Sequence, residues 1–347
     1  MKKIFSLILV ITFLTFSSIG TFGQRNRSNS NGDESKNPLT ESTFSAFKLR
    51  NIGPAFMSGR IADIAIHPED DNLWYVAVGS GGVWKTLNAG VTWESIFDGQ
   101  GSYSIGCLTI DPNNPHTIWV GTGENVGGRH VGYGDGIYKS EDGGTTWKNM
   151  GLKKSEHISE IIVHPENPDI LWVAAQGPLW NPGGERGVFK TTDGGETWTK
   201  LLGDDEYTGA TEILIDPRDP DVLYAATWQH HRTIAAYMGG GPKTAIYKTT
   251  DGGDNWEKLE KGLPKGNMGK IGMAISPQNP DVLYAAIELD RRTGGLWRSD
   301  DRGASWKKMS DAVSGGTGPH YYQELYASPA AFDRIYLADV RMQVSDD

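Results

Sequence analysis

Apolar and polar positions alternate along the chain in short runs, and the runs return in a fixed order. "CLTIDPNNPHTIWVGT" at 107–122 recurs as "EIIVHPENPDILWVAA" at 160–175, "EILIDPRDPDVLYAAT" at 212–227 and "GMAISPQNPDVLYAAI" at 272–287. Looser copies are "IADIAIHPEDDNLWYVAV" at 61–78 and "ELYASPAAFDRIYLAD" at 324–339. In all six an aromatic stands seven residues after the proline: Tyr75, Trp119, Trp172, Tyr224, Tyr284 and Tyr336. Period-two alternation bounded by Pro, Asn and Asp marks half-buried strands joined by tight turns.

Each repeat holds four strand-like runs. The first ends at the proline, "TIWVGT" exemplifies the second, and "GIYKS" the third. The fourth opens at a tryptophan, as in "TWKNM". Repeats start near 61, 107, 160, 212, 272 and 324, a spacing of roughly 45–60 residues. Four short antiparallel strands used six times predict an all-β fold, a β-propeller with one blade per repeat. No segment sustains a 3.6-residue apolar period, which excludes a helical solenoid. The sixth repeat stops inside its turn, at "VSDD" (Val344 to Asp347), so the sixth blade is incomplete. The expectation is a fragment of a longer propeller. The alternative is a strand around 44–53 that closes the last blade.

The turn before each fourth strand has its own pattern. It reads "SEDGGTTW", "TTDGGETW", "TTDGGDNW" and "SDDRGASW", with a degenerate "TLNAGVTW" first. The acidic positions are Asp142, Asp193, Asp251 and Asp301, with Asn88 in the first copy. The tryptophans are Trp93, Trp147, Trp198, Trp256 and Trp306. The carboxylate is placed to accept N–H bonds of its own turn, and glycine permits positive φ. The indole is placed to bury area between blades and give its N–H to a carbonyl. Asn88 keeps the hydrogen bonding and discards the carboxylate. A calcium loop needs more oxygen ligands than one or two acids per copy, so the reading is structural.

These turns resemble Asp-box (BNR) repeats, and the resemblance covers about 50–347. Sialidases, xyloglucanase-type glycoside hydrolases and sortilin-type ectodomains carry such boxes. Together with "DPNNP…W" and "GERGVFKTTDGGETW", the chain looks closest to secreted bacterial proteins of the sortilin-like or BNR glycosyl hydrolase group. The resemblance implies a propeller and leaves activity to other residues.

Composition adds compartment and partner. The 347 residues include 45 glycines, and net charge is −10, against a nucleic-acid partner. Residues 1–23 pair Lys2 and Lys3 with an apolar core, as a signal peptide does. Export to the periplasm, cell surface or exterior follows, with no membrane insertion after cleavage. Residues 24–43 are polar and lack periodicity, and the propeller occupies 44–347. Cys107 is the sole cysteine, so no intrachain disulfide forms, and it reads as a small buried strand residue.

Function is expected on the face opposite the Asp boxes. There the second-to-third-strand loops vary in length: 121–136, 174–187, 226–245 and 287–295, joined by 310–323. Ligand-binding candidates are Arg129, His130, Tyr133, Trp180, Arg186, Trp228, His230, Arg232, Arg291, His320 and Tyr321. Trp180 and Trp228 are the two tryptophans assigned to neither strand nor box. Aromatics among arginines and carboxylates suit a polysaccharide or peptide. No zinc-ligand spacing appears, and neither metal nor cofactor is expected.

A glycoside hydrolase needs two carboxylates, and Glu124 or Asp135 with Glu288 are the candidates. The xyloglucanase-type resemblance implies a catalytic Asp in the first blade before "GG", where this chain has Gly79. A sialidase implies an arginine cluster and a Tyr–Glu pair. Arg60 lies in a matching region, but the family's N-terminal signature is missing. The leading expectation is a binding propeller. The alternatives are a glycoside hydrolase and a structural module of a larger surface protein.

Overall fold

The computed structural model describes residues 59–312, apart from 291–292, and 322–347. The proposed signal peptide and leader, the 44–53 strand, Arg291, His320 and Tyr321 lie outside the described residues.

Six antiparallel meanders follow one another, each with its strands in sequential order. Blade 1 runs Ile61–His67, Asp70–Val78, Gly82–Thr86 and Glu94–Ser95. Blade 2 runs Ile105–Ile110, Ile118–Thr122, Ile137–Ser140 and Lys148–Asn149. Blade 3 runs Ile158–His164, Asn167–Ala175, Gly187–Thr191 and Thr199–Leu202. Blade 4 is Thr208–Asp216, Asp219–Gln229, Ile246–Thr249 and Glu257–Leu259. Blade 5 is Ile271–Ile275, Leu283–Asp290, Thr293–Ser299 and Lys307–Ser310. Blade 6 has three strands, Glu324–Ala327, Ile335–Ala338 and Gln343–Ser345. Two small ribbons (His231–Arg232 with Tyr237–Met238, Gly240–Gly241 with Met268–Gly269) decorate blade 4.

The first strands of all six blades line one central cavity of about 410 Å³. Packing between blades begins beside it. In blades 1 to 4 a register shift interrupts the first strand, at 61–63, 105–107, 158–160 and 210–212. A bulge re-aims the side chain that follows it. Two of the bulged residues bond to the next blade. The Ser159 hydroxyl donates to Ala210 O at 3.0 Å, and that of Thr211 to Ile271 O at 3.1 Å. At Gly106, a Cβ would lie 1.9 Å from Ile158 O, so only glycine allows blades 2 and 3 to approach this closely.

Farther out, the repeated aromatics and boxes form a second inter-blade layer. Trp172 Nε1 donates to Gly252 O in the next blade's box at 2.9 Å, and Tyr224 OH to Arg302 O at 3.2 Å. The third-strand cation reinforces it: Lys190 Nζ reaches Gly252 O and Lys248 Nζ reaches Arg302 O, each at 2.9 Å. The same lysines lie over their own blade's aromatic, 5.6 Å and 5.5 Å from the ring centres.

Every Asp box is a self-contained hydrogen-bond cage. In the 191–198 copy, Asp193 Oδ1 accepts from Thr191 Oγ1 at 2.6 Å and Thr197 N at 2.9 Å, and Oδ2 from Thr197 Oγ1 at 2.5 Å. Asn88 makes the matching bonds to Thr86 Oγ1 and Thr92 N. These donors hold Asp142 and Asp193 down at about 2. The carboxylate is thus spent on its own turn, as the Asn88 substitution implied. The tryptophan docks on the preceding blade: Trp147 Nε1 donates to Ile96 O and Trp198 Nε1 to Met150 O, both at 2.8 Å. Trp93 belongs to the first blade and is 40% exposed, so its inter-blade role is not realised among the described residues. Trp306 turns back to Gly303 O of its own box. Cys107 is buried in the first strand of blade 2, as its surroundings in the sequence implied.

Candidate functional site

The loop of blade 2 at 123–136 gathers contacts from several other blades. Its residues 124–127 are buried, and side chains from other blades reach them. Arg60, beside blade 1, forms a two-pronged ion pair with Glu124 through Nε and Nη2. Tyr322, just before blade 6, donates to Glu124 Oε1 at 2.8 Å. Gln176 of blade 3 and Lys270 of blade 5 both donate to Asn125 O at 3.0 Å. Asn125 Nδ2 donates to Glu324 of blade 6 at 2.8 Å. Arg232 of blade 4 donates to Gly127 O at 2.8 Å through Nη2. Val126, Val131 and Leu179 form a small apolar core beneath, with Trp180, Tyr237 and Tyr322 packed on it.

This arrangement decides the roles of the carboxylate candidates. Glu124 has no solvent exposure, and a cation and a phenol occupy its oxygens. The hydrogen bond to Glu124 raises the Arg60 guanidinium further. Asp135 is held by Tyr138 OH at 2.7 Å and sits at the foot of its loop, where its N–H donates to Thr122 Oγ1. Glu288 is 8% exposed, on the second strand of blade 5, with its N–H given to Lys270 O at 3.2 Å. The geometry also accounts for Gly79. A Cβ at this position would lie 2.7 Å from the Glu124 carboxyl carbon, so Glu124 fills the space an aspartate would need.

The binding candidates divide into buried organisers and surface groups. Arg186 is 1% exposed and ties its own loop together, donating to Gly183, Pro178 and Asn181 carbonyls at 2.7–3.0 Å. Burial lowers it to about 10. Trp228, expected in a loop, lies instead in the second strand of blade 4 with no exposure, because that strand runs on to Gln229. Its indole donates to Gly239 O at 2.9 Å, and His230 stacks on it at 4.2 Å. Burial pushes His230 well below its usual range and His157 down to about 4, so both rings are neutral at pH 7. Arg232 is buried against Tyr237, 4.0 Å from its ring centre. Arg129, His130 and Tyr133 are exposed and Trp180 half-buried, all on the loops of blades 2 and 3. Asn125, Gln176 and Lys270, which repetition does not single out, are central to these contacts. Gln176 and Lys270 stand as single polar residues in largely apolar stretches, whereas Asn125 lies in a glycine-rich polar loop and carries no such signal.

The repeated boxes, the meander blades and the shared cavity define a β-propeller of the Asp-box (BNR) type. A family profile described as "Sortilin, neurotensin receptor 3" matches residues 135–270. A xyloglucanase of Hypocrea jecorina is 23% identical over 306 residues, 78% of this chain and 34% of the relative. The chain therefore spans about a third of that relative's length. The crystal structure of a GH74 enzyme from Niastella koreensis superposes with a TM-score of 0.63 at 18% identity, over 83% of this chain and 45% of the other. YCF48 from Cyanidioschyzon merolae superposes at 0.52 with 17% identity, over 83% of each chain. These two structures share the fold.

Proposed function

We propose that the chain is an exported binding propeller, which takes a polysaccharide through the exposed loops of blades 2 and 3. The observation that carries this reading is the engagement of Glu124. It is fully buried, ion-paired with Arg60 and bonded to Tyr322, and it occupies the space beside Gly79. A general acid must offer a proton to the leaving group, and a nucleophile must reach the sugar. A carboxylate locked in this way does neither. Tyr133, 55% exposed, and the half-buried Trp180 offer ring faces on which a sugar stacks, and Arg129 and His130, exposed on the blade 2 loop, are available for hydroxyl contacts. Similarity to xyloglucanases supports a glycan as the ligand class.

Affinity electrophoresis in gels containing xyloglucan and other plant or host polysaccharides tests this. Retardation without release of reducing ends is the expected result, and Tyr133→Ala with Trp180→Ala should abolish it. Release of reducing ends that disappears in Glu124→Gln would make the protein a glycoside hydrolase and overturn the reading.

A further inference from the structure

The six first strands carry a pattern unrelated to the loops. Five residues before each strand's terminal proline stand Asp63, Cys107, Glu160, Glu212, Gly272 and Glu324. Four blades thus place a carboxylate at one repeat position, and all six residues fall on the strands that line the central cavity. In blades 1 to 4 this position directly follows the bulge, which turns the side chain inward. The result is a girdle of acids around the cavity.

Most girdle members have some protein partner. Leu108 N–H donates to Asp63 at 2.9 Å, Ile161 N–H to Glu160 at 3.3 Å, and Asn125 with Tyr326 to Glu324. Glu212 differs. It is 8% exposed, lines the cavity, and receives no hydrogen bond or ion pair from any described residue. A nearly buried carboxylate without a hydrogen-bond donor is costly, and proteins keep one where something else supplies the charge. The Lys270 charge reaches Glu212 and Glu324, and its ammonium also donates to Asn125 O. One lysine also leaves four carboxylates undercompensated.

The chemistry of the walls narrows the ligand. No group of three or more His, Cys, Asp or Glu side chains converges to hold a metal ion among the described residues. The acids are spread around the girdle, and aliphatic side chains lie between and beside them: Ile64, Leu214, Met273, Ile275 and Leu325. Separated carboxyl groups on an aliphatic wall match separated ammonium groups on a methylene stem, which would favour their ionised form. We propose that the central cavity is a binding site for a linear polyamine, with Glu212 as its main anchor and Asp63, Glu160 and Glu324 receiving the remaining ammonium groups. This site is independent of the loop-face reading.

Isothermal titration calorimetry on the whole chain at pH 7 tests it, using spermidine, calcium chloride and N-acetyl-lysine amide as separate titrants. Spermidine should bind with one site, and Glu212→Gln should weaken it about tenfold or more, the worth of a charge-assisted contact. The single-ammonium lysine derivative should bind at least about tenfold more weakly than spermidine. Folding is a separate readout. Without ligand, Glu212→Gln removes a buried carboxylate that Lys270 offsets only in part, so its melting temperature should stay level or rise. The thermal shift that spermidine gives the parent should then be lost. No spermidine binding, unchanged binding by a folded Glu212→Gln, equal binding of the lysine derivative, or calcium binding tighter than spermidine would each overturn the proposal.

Discussion

Trp119 and Trp172 occupy the same repeat position, and their comparison isolates one inter-blade hydrogen bond. Both are sealed from solvent, at 0% and 1% exposure, and each carries a lysine over its ring, at 5.2 Å and 5.6 Å. They differ at the indole nitrogen. Trp172 Nε1 donates to Gly252 O at 2.9 Å, whereas Trp119 Nε1 is buried with no acceptor among the described residues. Replacing either by Phe removes similar apolar area and leaves a similar small void, about 1–2 kcal/mol in each case. Trp172→Phe also loses a hydrogen bond. Gly252 O keeps its Lys190 donor at 2.9 Å, so the extra loss is only the net value of one bond, about 1 kcal/mol. Trp119→Phe removes an unsatisfied buried donor, which returns about 1 kcal/mol or more. Trp172→Phe should therefore be less stable than Trp119→Phe by about 2 kcal/mol, or a melting difference of roughly 4 °C for a domain of this size. Urea midpoints followed by far-ultraviolet circular dichroism measure this, provided the slopes agree. Equal destabilisation of the two variants would refute the role given to the inter-blade bond.

Three further outcomes are expected. Arg60→Ala strands the Glu124 charge with Tyr322 alone and should cost about 3 kcal/mol in a urea titration, and a change below about 0.5 kcal/mol would sink the account of that pair. Gly79→Asp should destabilise by about 2 kcal/mol or more, because its Cβ collides with the Glu124 carboxyl and a second charge follows, and it should not create xyloglucan hydrolysis. Stability should also depend on pH from two sides. Burial, then the Glu324 charge, pushes Asp63 up to about 6, above the unfolded value near 4, and burial raises Glu160 and Glu212 as well. A raised carboxylate weakens the fold when ionised, so stability should grow as pH falls from about 7 towards 4. Solvent access at the partly exposed Asp63 and Glu160 tempers the gain. Asp142 and Asp193 act oppositely, since at about 2 they stabilise above pH 4 and lose that contribution as pH falls through 2. Thermal melts from pH 8 to 2 should peak between about 4 and 6, and a steady decline from pH 7 would contradict this assignment.

The blades were legible in the sequence because their determinants are local and repeated. The proline, the aromatic seven residues on and the box recur in fixed register, and each acts within its own hairpin or on the adjacent blade. The Asp142 and Asp193 cages involve only residues of their own turns, so the Asn88 variant was enough to identify the turn as structural. Trp228 misled because it belongs to a second strand longer than those of the other blades, and the extra length carries it past the repeat pattern. The contacts of 124–127 were illegible for a different reason. Glu124 meets Arg60 across 64 positions and Tyr322 across 198, and Asn125 meets Glu324 across 199. Contacts of that separation follow from closure of the blades around an axis, not from any local pattern. The acidic girdle lies between these cases. Its position is fixed by the same proline that orders the blades, so the repeat register already contained it. Its meaning emerges only when the first strands turn inward and four separate acids come to face one cavity. Repetition therefore locates a functional feature here as well as the scaffold: a position that is structural in one blade becomes a site when the axis brings its copies together.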